Sequence, residues 1–169
     1  MPTFRSLFLA ALTASSLAGC DDGDALDAEP IVGDPDYPRD PALDVELISR
    51  NGEASSHEAG SNCMACHQAF GPGPGQFTVA GTLYRNRKDQ QVLADGVLEF
   101  RDAPGGEVVL RVEVDSLGNF YSTEPLPLPD TVLFPIVYGP NDVGRALPFP
   151  TRSGACNLCH AGARVVSVE

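Results

Sequence analysis

The chain has 169 residues, which allows one modest domain with appendages but not two large domains. It carries 11 Lys and Arg residues against 23 Asp and Glu residues, a formal net charge of −12. Such a surface repels phosphate backbones, so the composition argues against nucleic-acid binding.

The N-terminus has the organisation of an export signal. Arg5 precedes an apolar run from Leu7 to Leu12, and small residues then lead up to Cys20. This run is shorter than the roughly 20 apolar residues that a membrane-spanning helix needs. We therefore predict a signal peptide over residues 1–19 that is absent from the mature protein.

The sequence "LAGC" at 17–20 resembles the lipobox of bacterial lipoproteins. The resemblance implies that cleavage leaves Cys20 as the new N-terminus, with acyl chains on its sulfur and amine. Several acyl chains give stable membrane attachment, whereas one chain binds only marginally. The protein would then lie in the cell envelope, on the periplasmic face of the inner or outer membrane or on the cell surface. The alternative is an ordinary secretory signal in which Cys20 lies near the cleavage point by coincidence.

Residues 20–60 form an acidic segment ahead of the first clear motif. Between 21 and 62 there are twelve Asp and Glu residues, against only Arg39 and Arg50. The segment is rich in Asp, Pro, Gly and Ser and has little apolar periodicity, which predicts a disordered tether. Within it, "DVELISR" at 44–50 is the one stretch expected to form a short strand or a turn of helix.

A Cys-x-x-Cys-His motif, "CMACH", occupies residues 63–67. The glycines and prolines at 71–75 exclude regular structure directly after it. From residue 76 onward the apolar residues recur with a period of two, which is typical of half-buried strands.

Several strands are predicted after residue 76. The first, around 77–84, places Phe77, Val79 and Leu83 on one face and Thr78, Thr82 and Tyr84 on the other. The second, "DGVLEFRD", places Leu98 and Phe100 together. The third places Val108, Leu110, Val112 and Val114 inward and Val109, Arg111, Glu113 and Asp115 outward.

Turns are predicted at 103–106 and 116–119, the second leading into the strand "FYSTEP". In the last candidate strand, 130–139, Pro135 indicates an edge position or a bulge. Four to six short strands at this spacing predict a mainly β fold, a small antiparallel sandwich over about 76–139. The segments "VAGTLY", "DGVLEFRD" and "VDSLGNFYS" resemble transthyretin-like or carboxypeptidase-regulatory-like sandwiches, which implies a scaffold or binding module.

The cysteine motif recurs as "CNLCH" at 156–160, so all cysteines other than Cys20 lie in the two motifs. The motif resembles the attachment site of c-type haem. Two thiols three positions apart can reach the two vinyl groups on one porphyrin edge, and the next residue brings an imidazole to the iron. The resemblance implies two covalently attached haem c groups. Cys63, Cys66 and His67 would hold one haem, and Cys156, Cys159 and His160 would hold the other.

Three other chemistries use a Cys-x-x-Cys pair. Each pair could form a disulfide, which is common in exported proteins but gives no reason for the histidine that follows both times. Four thiolates could bind one zinc ion, although the 88 residues between the two motifs far exceed the usual separation. A thioredoxin-like redox site would need a βαβ context, and the sequence pattern indicates none.

Only nine residues follow His160, so the second motif cannot head an ordinary cytochrome c domain, in which most of the fold follows the motif. We instead predict one cytochrome c-like haem-binding unit over 61–169. Its sandwich would be an insert whose two ends bring the two motifs together.

Two six-coordinate haems need four axial ligands, and the chain contains three histidines. His57, six residues before Cys63, is the natural distal candidate, and its alternative is a solvated histidine at the end of the tether. Met64 lies inside its own attachment loop and is not expected to reach the iron. At least one iron would hold water, a weak ligand or a small molecule, or take a histidine from a second copy in a homo-oligomer.

These observations favour a membrane-anchored dihaem lipoprotein that transfers electrons to redox partner proteins rather than an enzyme. One alternative is a cell-surface β-sandwich binding module whose cysteine sites are structural metal sites or disulfides. The other is a haem-based sensor or enzyme for a small ligand. Covalently bound haem, or its absence, separates these classes.

Overall fold

A computed structural model of the chain describes residues 39–169. The predicted signal peptide, Cys20 and the first part of the predicted tether lie outside these residues. Across the described part of the chain, no helix has both the length and the apolar character needed to cross a membrane.

Residues 39–169 form two β-sheets with little helix. The seven strands are β1 (Val79–Tyr84), β2 (Val97–Arg101), β3 (Val108–Glu113), β4 (Asn119–Ser122), β5 (Phe134–Tyr138), β6 (Gly144–Ala146) and β7 (Val166–Ser167). The helical elements are α1 (Cys156–Cys159) and three 3-10 helices at Pro41–Leu43, Cys63–Ala65 and Gly162–Arg164. The prediction of a mainly β fold is confirmed.

One sheet has three strands in the order β4-β1-β7, and the other has four in the order β3-β2-β5-β6. Neighbouring strands are antiparallel except β1 and β7, which pair in parallel with Leu83 opposite Val166. Strands β6 and β7 lie beyond residue 139, so the sandwich extends past its predicted end. The second cysteine motif therefore lies between two strands of the sandwich.

The larger of two apolar clusters combines residues from both sheets. Its buried members are Val79, Leu83, Leu93, Leu98, Phe100, Leu110, Val112, Val114, Phe120, Leu133 and Val137. Full burial of a side chain such as Phe100 or Phe120 contributes about 1.5–3 kcal/mol. This core is the main source of stability for the surface that carries the cysteine motifs.

Strand β1 is buried along its whole length, and not on one face only as predicted. Val79 and Leu83 belong to the main core. The opposite face contributes Ala80 to a second cluster with Phe77 and Tyr121, against which the first cysteine motif packs. Phe77 therefore does not share a face with Val79 and Leu83, because it precedes β1 and belongs to the second cluster.

Strand β3 contains a β-bulge that changes which side chains are buried. Phe100 of β2 pairs with Leu110, but Arg101 pairs with Val108, so Val109 is the extra residue. Val108 and Val109 are consequently both exposed. The prediction that Val108 faces inward is wrong because strict alternation does not continue through a bulge.

Asp115, predicted to face outward, is fully buried. Its Oδ1 accepts hydrogen bonds from the backbone N–H groups of Leu117 and Asn119, each at 3.0 Å. The side chain therefore organises the predicted turn at 116–119 from inside, a common use of Asp beside a turn. The turn itself is confirmed, with Gly118 at a φ of 82°.

Strand β5 lies between β2 and β6, so the prediction of an edge position for Pro135 is wrong. The Pro135 carbonyl accepts from Leu147 N, just past the end of β6. Groups on one residue of a strand point to the same side, so the missing N–H of Pro135 also faces this end of the ladder. Pro135 therefore removes no hydrogen bond from the β5–β6 ladder, because β6 pairs with residues 136–138 only.

Residues 39–60, predicted as part of a disordered tether, pack along the sandwich. Ser49 is buried, and its Oγ donates to the Glu113 carbonyl at 2.6 Å and accepts from Tyr121 N at 3.0 Å. Ile48 forms a single β-bridge with Ser122, which confirms a short extended element within 44–50. The predicted disorder therefore does not extend to these residues.

Candidate functional site

The first cysteine motif forms a tight turn. Cys63 begins a 3-10 helix that ends at Ala65, and the N–H groups of Cys66 and His67 donate to the Cys63 carbonyl at 3.2 and 3.0 Å. Cys63 is half-buried and Cys66 is exposed. The turn thus presents two thiols and one imidazole within a single short loop.

The His67 ring is held in one orientation. It is 6% exposed and stacks on Phe77, with ring centroids 4.1 Å apart and planes 4° apart. Its Nδ1 lies 2.7 Å from the Pro74 carbonyl, which can only accept a hydrogen bond, so Nδ1 carries the proton. Nε2 is then the nitrogen with the free lone pair. Metal-binding histidines commonly have this arrangement.

The loop 71–75 closes over His67 because it consists of glycine and proline. Gly73 N donates to the Cys66 carbonyl at 3.0 Å, and a Cβ at Gly73 would lie 2.8 Å from His67 Nδ1. The Arg39 guanidinium also donates to the Gly71 and Leu43 carbonyls, which ties the loop to the N-terminal segment. The sequence showed the lack of regular structure here but not this role.

His57 lies across a cavity from the first motif. The cavity has a volume of about 660 Å³ and is lined by both cysteines of the motif, by His57 and His67, and by Phe77 and Tyr121, among others. The two imidazole centroids are 5.9 Å apart, and their planes are tilted by 34°. His57 is exposed, so its ring is accessible from the cavity.

The second motif forms the short helix α1. The His160 N–H donates to the Cys156 carbonyl at 2.9 Å, and His160 Nδ1 lies 2.8 Å from the Arg164 carbonyl. The same reasoning as for His67 places the proton on Nδ1 and leaves Nε2 free. The adjoining cavity, lined by Cys156 and His160 with several apolar residues, has a volume of about 200 Å³.

The two motifs lie close together beside β1, but the second lies between β6 and β7 and not at an end of the sandwich, as the prediction of an insert required. Ala155 forms a parallel bridge with Ala80 of β1. Asn157, inside the second motif, donates to the Ser61 carbonyl at 2.8 Å and to Thr82 Oγ1 at 3.0 Å. A buried amide thus connects the second motif to the residues just before the first.

Burial controls the chemistry of two thiols. It raises the pKa of Cys156 to about 12, with further contributions from the neighbouring Cys63 and Cys159. Burial also raises the pKa of Cys63, and the nearby Cys66 adds to the effect. Both thiols are therefore neutral near pH 7, whereas reactive redox cysteines have lowered pKa values. This disfavours a thioredoxin-like site.

The other chemistries considered for the cysteines also find little support. Among the described residues, the four cysteines are free thiols, and no group of three or more His, Cys, Asp and Glu side chains is placed to hold a metal ion.

Met64, Tyr121 and Phe149 differ in their relation to the site. Met64 is half-buried against the second cluster. Phe149 is 62% exposed and lines neither cavity beside a cysteine motif. Tyr121 contacts Ser55 through its hydroxyl, with the oxygens 2.8 Å apart, and forms part of the first cavity wall.

The site also depends on residues that carried no recognisable sequence signal. Pro74 contributes a backbone carbonyl, which any residue could supply. Phe77 was read as a core residue of the sandwich, and Asn119 as part of a turn. Asn157 occupies a variable position of the motif, and only its burial reveals its role.

Comparisons with models of protein families, with curated proteins and with solved structures found no match to this chain. The likenesses to c-type haem sites and to transthyretin-like sandwiches therefore rest on short motifs. Function is therefore inferred from the geometry of the two motifs and their cavities.

Proposed function

We propose that the protein is a membrane-anchored electron carrier that binds two haem c groups covalently, one at each Cys-x-x-Cys-His motif. The observation that carries the proposal is the state of the two histidines. His67 and His160 each direct Nδ1 to a backbone carbonyl, at 2.7 and 2.8 Å, and keep Nε2 for a metal. The two loops differ, because the acceptor carbonyl lies at a different number of residues after each histidine, but the arrangement of the ring is the same.

The first site fits a haem well. Its cavity of about 660 Å³ lies within the range typical of cofactor sites and is bordered by Cys63, Cys66 and His67. The thiols would each add across a vinyl group, with the sulfur bonding to one carbon and the thiol proton going to the other. Cys63 is neutral, which suits addition of an intact thiol.

The second site fits less completely. Its cavity of about 200 Å³ is below the usual range of cofactor sites; it is bordered by Cys156 and His160 and lined by apolar residues together with Arg87 and Arg145, while Cys159 is exposed. A haem held here would be covered on one face and open to solvent over much of its surface. The apolar lining would exclude water from the covered face.

When bound, haem supplies reversible one-electron chemistry at its iron. The chain would set the potential through the imidazoles that hold the iron, through burial by Phe77 and Tyr121, and through its negative charge. Excess negative charge stabilises the oxidised iron and lowers the potential. The closeness of the two motifs along β1 supports exchange of electrons between the sites.

The export signal and Cys20 support attachment to a membrane in the cell envelope. The partner would be a redox protein with a basic face, because the chain has a net charge of −12. Added salt should weaken that association. Binding that is insensitive to salt would contradict this choice of partner.

The test is to produce the full chain in a host that exports it and attaches haem. Intact mass after acid–acetone extraction, which removes non-covalent haem, should show two haems on the wild type. The double variants C63A/C66A and C156A/C159A should each retain one. Cys20→Ala serves as the control, since it should lose membrane attachment while keeping both haems. A colourless wild type without added mass would overturn the proposal.

A further inference from the structure

We infer that His57 and His67 bind the same iron from opposite sides, and that Asn119 is the positioning residue that holds His57 in place. The inference rests on the proposed function and adds the distal ligand of the first site. The sequence alone left open whether His57 serves its own motif, the other motif or neither.

The spacing of the two rings carries the assignment. Their centroids are 5.9 Å apart, and both rings line the cavity that contains the thiols of Cys63 and Cys66. Two imidazoles bound to one metal ion from opposite sides, through bonds of about 2 Å, have ring centres about 6 Å apart, whereas imidazoles on the same side are closer. His67 has Nε2 free for such a bond because the Pro74 carbonyl occupies its other nitrogen.

The second site is not a rival for His57. The cavity beside His160 has a different lining, and His57 does not border it. The segment that carries His57 forms one wall of the first cavity, from Leu47 to Ser61. His57 therefore belongs to the first site by position.

The backbone around His57 is fixed by a side chain from the sheet. Asn119 Nδ2 donates to Ser56 Oγ at 2.9 Å and to the His57 carbonyl at 3.2 Å. Three residues after His57, Gly60 N donates to Thr82 Oγ1 at 2.8 Å. These bonds attach the His57 segment to β4 and β1, so the imidazole is held near the cavity.

Asn119 is itself held firmly. It is 2% exposed, and its Oδ1 accepts from Thr82 Oγ1 at 2.6 Å. Its backbone N–H donates to Asp115 Oδ1 at 3.0 Å. Because the amide oxygen is already paired with Thr82, the amide nitrogen must point toward Ser56 and His57. The orientation of the Asn119 side chain thus fixes the position of the backbone at Ser56 and His57.

Two consequences follow for the chemistry. An iron held by two imidazoles is low-spin and has no open position for small ligands. Because the chain has three histidines, none then remains for the far side of the second iron. The first site would be a saturated electron carrier, and the second would be the site that binds cyanide or carbon monoxide.

The test uses purified, haem-loaded full-length protein. His57→Ala should convert the low-spin spectrum of the first haem to high-spin and should raise the number of haems that bind carbon monoxide from one to two. Added imidazole should restore the low-spin spectrum. His57→Met should keep it low-spin with a higher potential, since a His/Met pair raises the potential. Gln91→Ala, at an exposed residue that borders neither cavity, is the control and should change none of these signals.

Asn119→Ala should give a partial high-spin population at the first site that imidazole reverses, with the second haem unchanged. A structural role alone would lower the melting temperature without a change that imidazole reverses. If Asn119→Ala does not fold, the result for His57→Ala, at an exposed residue, still decides the ligand assignment.

Haem content measured by mass on the same samples distinguishes a failure of the proposed function from a failure of the His57 assignment. Absence of covalent haem from the wild type would overturn the proposed function. Two covalent haems with an unchanged low-spin spectrum in His57→Ala would overturn the inference while leaving the proposed function intact.

Discussion

Individual side chains at the two motifs differ sharply in their exposure. Cys66 and Cys159 are exposed, whereas Cys63 is half-buried and Cys156 packs against the main core. Burial raises the pKa of Cys156 to about 12. Each motif thus contains one accessible thiol and one that the fold keeps neutral.

The first prediction concerns thiol reactivity in polypeptide that carries no haem. At pH 8 a thiol with a pKa of about 12 is roughly one part in ten thousand thiolate. Iodoacetamide pulses read by peptide mass spectrometry should therefore modify Cys156 far more slowly than the exposed Cys66 and Cys159. Equal rates for all four thiols before denaturation would contradict the burial of Cys156.

Asp44 provides a second prediction at this scale. Its carboxylate accepts hydrogen bonds from Gln76 and Arg39, and these lower its pKa below the ordinary value. The resulting stabilisation is fully present above the unfolded-state pKa, near 3.9, and is lost as the pH falls through the lower folded-state value. Asp44→Asn keeps the oxygen acceptor but removes the charge. It should lower the urea midpoint at pH 7, and the difference should shrink below pH 4.

Asp130→Asn, at an exposed aspartate, is the control for the Asp44 experiment and should leave the midpoint unchanged at each pH. A constant difference between Asp44→Asn and wild type from pH 7 to pH 3 would show that the charge is not the cause.

Among the structural elements, β1 determines how the two motifs meet. Its residue Thr82 is fully buried and accepts hydrogen bonds from Gly60 N at 2.8 Å and Asn157 Nδ2 at 3.0 Å. It also donates to Asn119 Oδ1 at 2.6 Å. The Thr82 hydroxyl on the central strand β1 therefore connects the His57 segment, Asn119 at the start of β4 and the second motif.

The prediction for this element is a loss of stability in Thr82→Val. Valine has nearly the same shape but leaves three polar groups without their partner, at about 1–3 kcal/mol for a buried unsatisfied group. We expect the free energy of unfolding to fall by about 2–3 kcal/mol in urea titrations. The same replacement at the exposed Thr131 should change it by less than about 0.5 kcal/mol. Equal effects at both positions would argue against the network.

At the scale of the whole molecule, the N-terminal segment is part of the folded unit. Residues 39–60 supply a wall of the first cavity and the buried Ser49. Arg39 and Leu43 also hold the loop at 71–75, which in turn orients His67. The boundary of the fold therefore lies well before the first cysteine.

Truncation tests this boundary. A chain that begins at residue 61 loses, relative to one that begins at residue 39, three hydrogen bonds that Ser49 forms with Glu113 of β3 and Tyr121 of β4. At about 1 kcal/mol each, their loss should lower the free energy of unfolding by about 3 kcal/mol or more in urea titrations. Equal stability of the two chains would show that residues 39–60 do not stabilise the sandwich.

How much of this molecule could be predicted differs between its parts. The alternation around Leu98 and Phe100 and the turn at 116–119 were readable, because period-two patterns and glycine turns are local signals. The exposure of Val108 was not, because a bulge depends on the partner strand. Likewise, β6 and β7 are too short to show a period and exist through pairing with strands distant in sequence.

The sequence by itself determined the mainly β fold and the identity of the six motif residues that could bind haem. The strands show as apolar residues at every second position, and the two sites show as a Cys-x-x-Cys-His motif that occurs twice. Only the tertiary structure decided that His57 faces His67 across one cavity, that Asn157 connects the two motifs, and that residues 39–60 belong to the fold. These features depend on contacts between residues that are far apart in the chain, and a local pattern carries no information about which distant groups will meet.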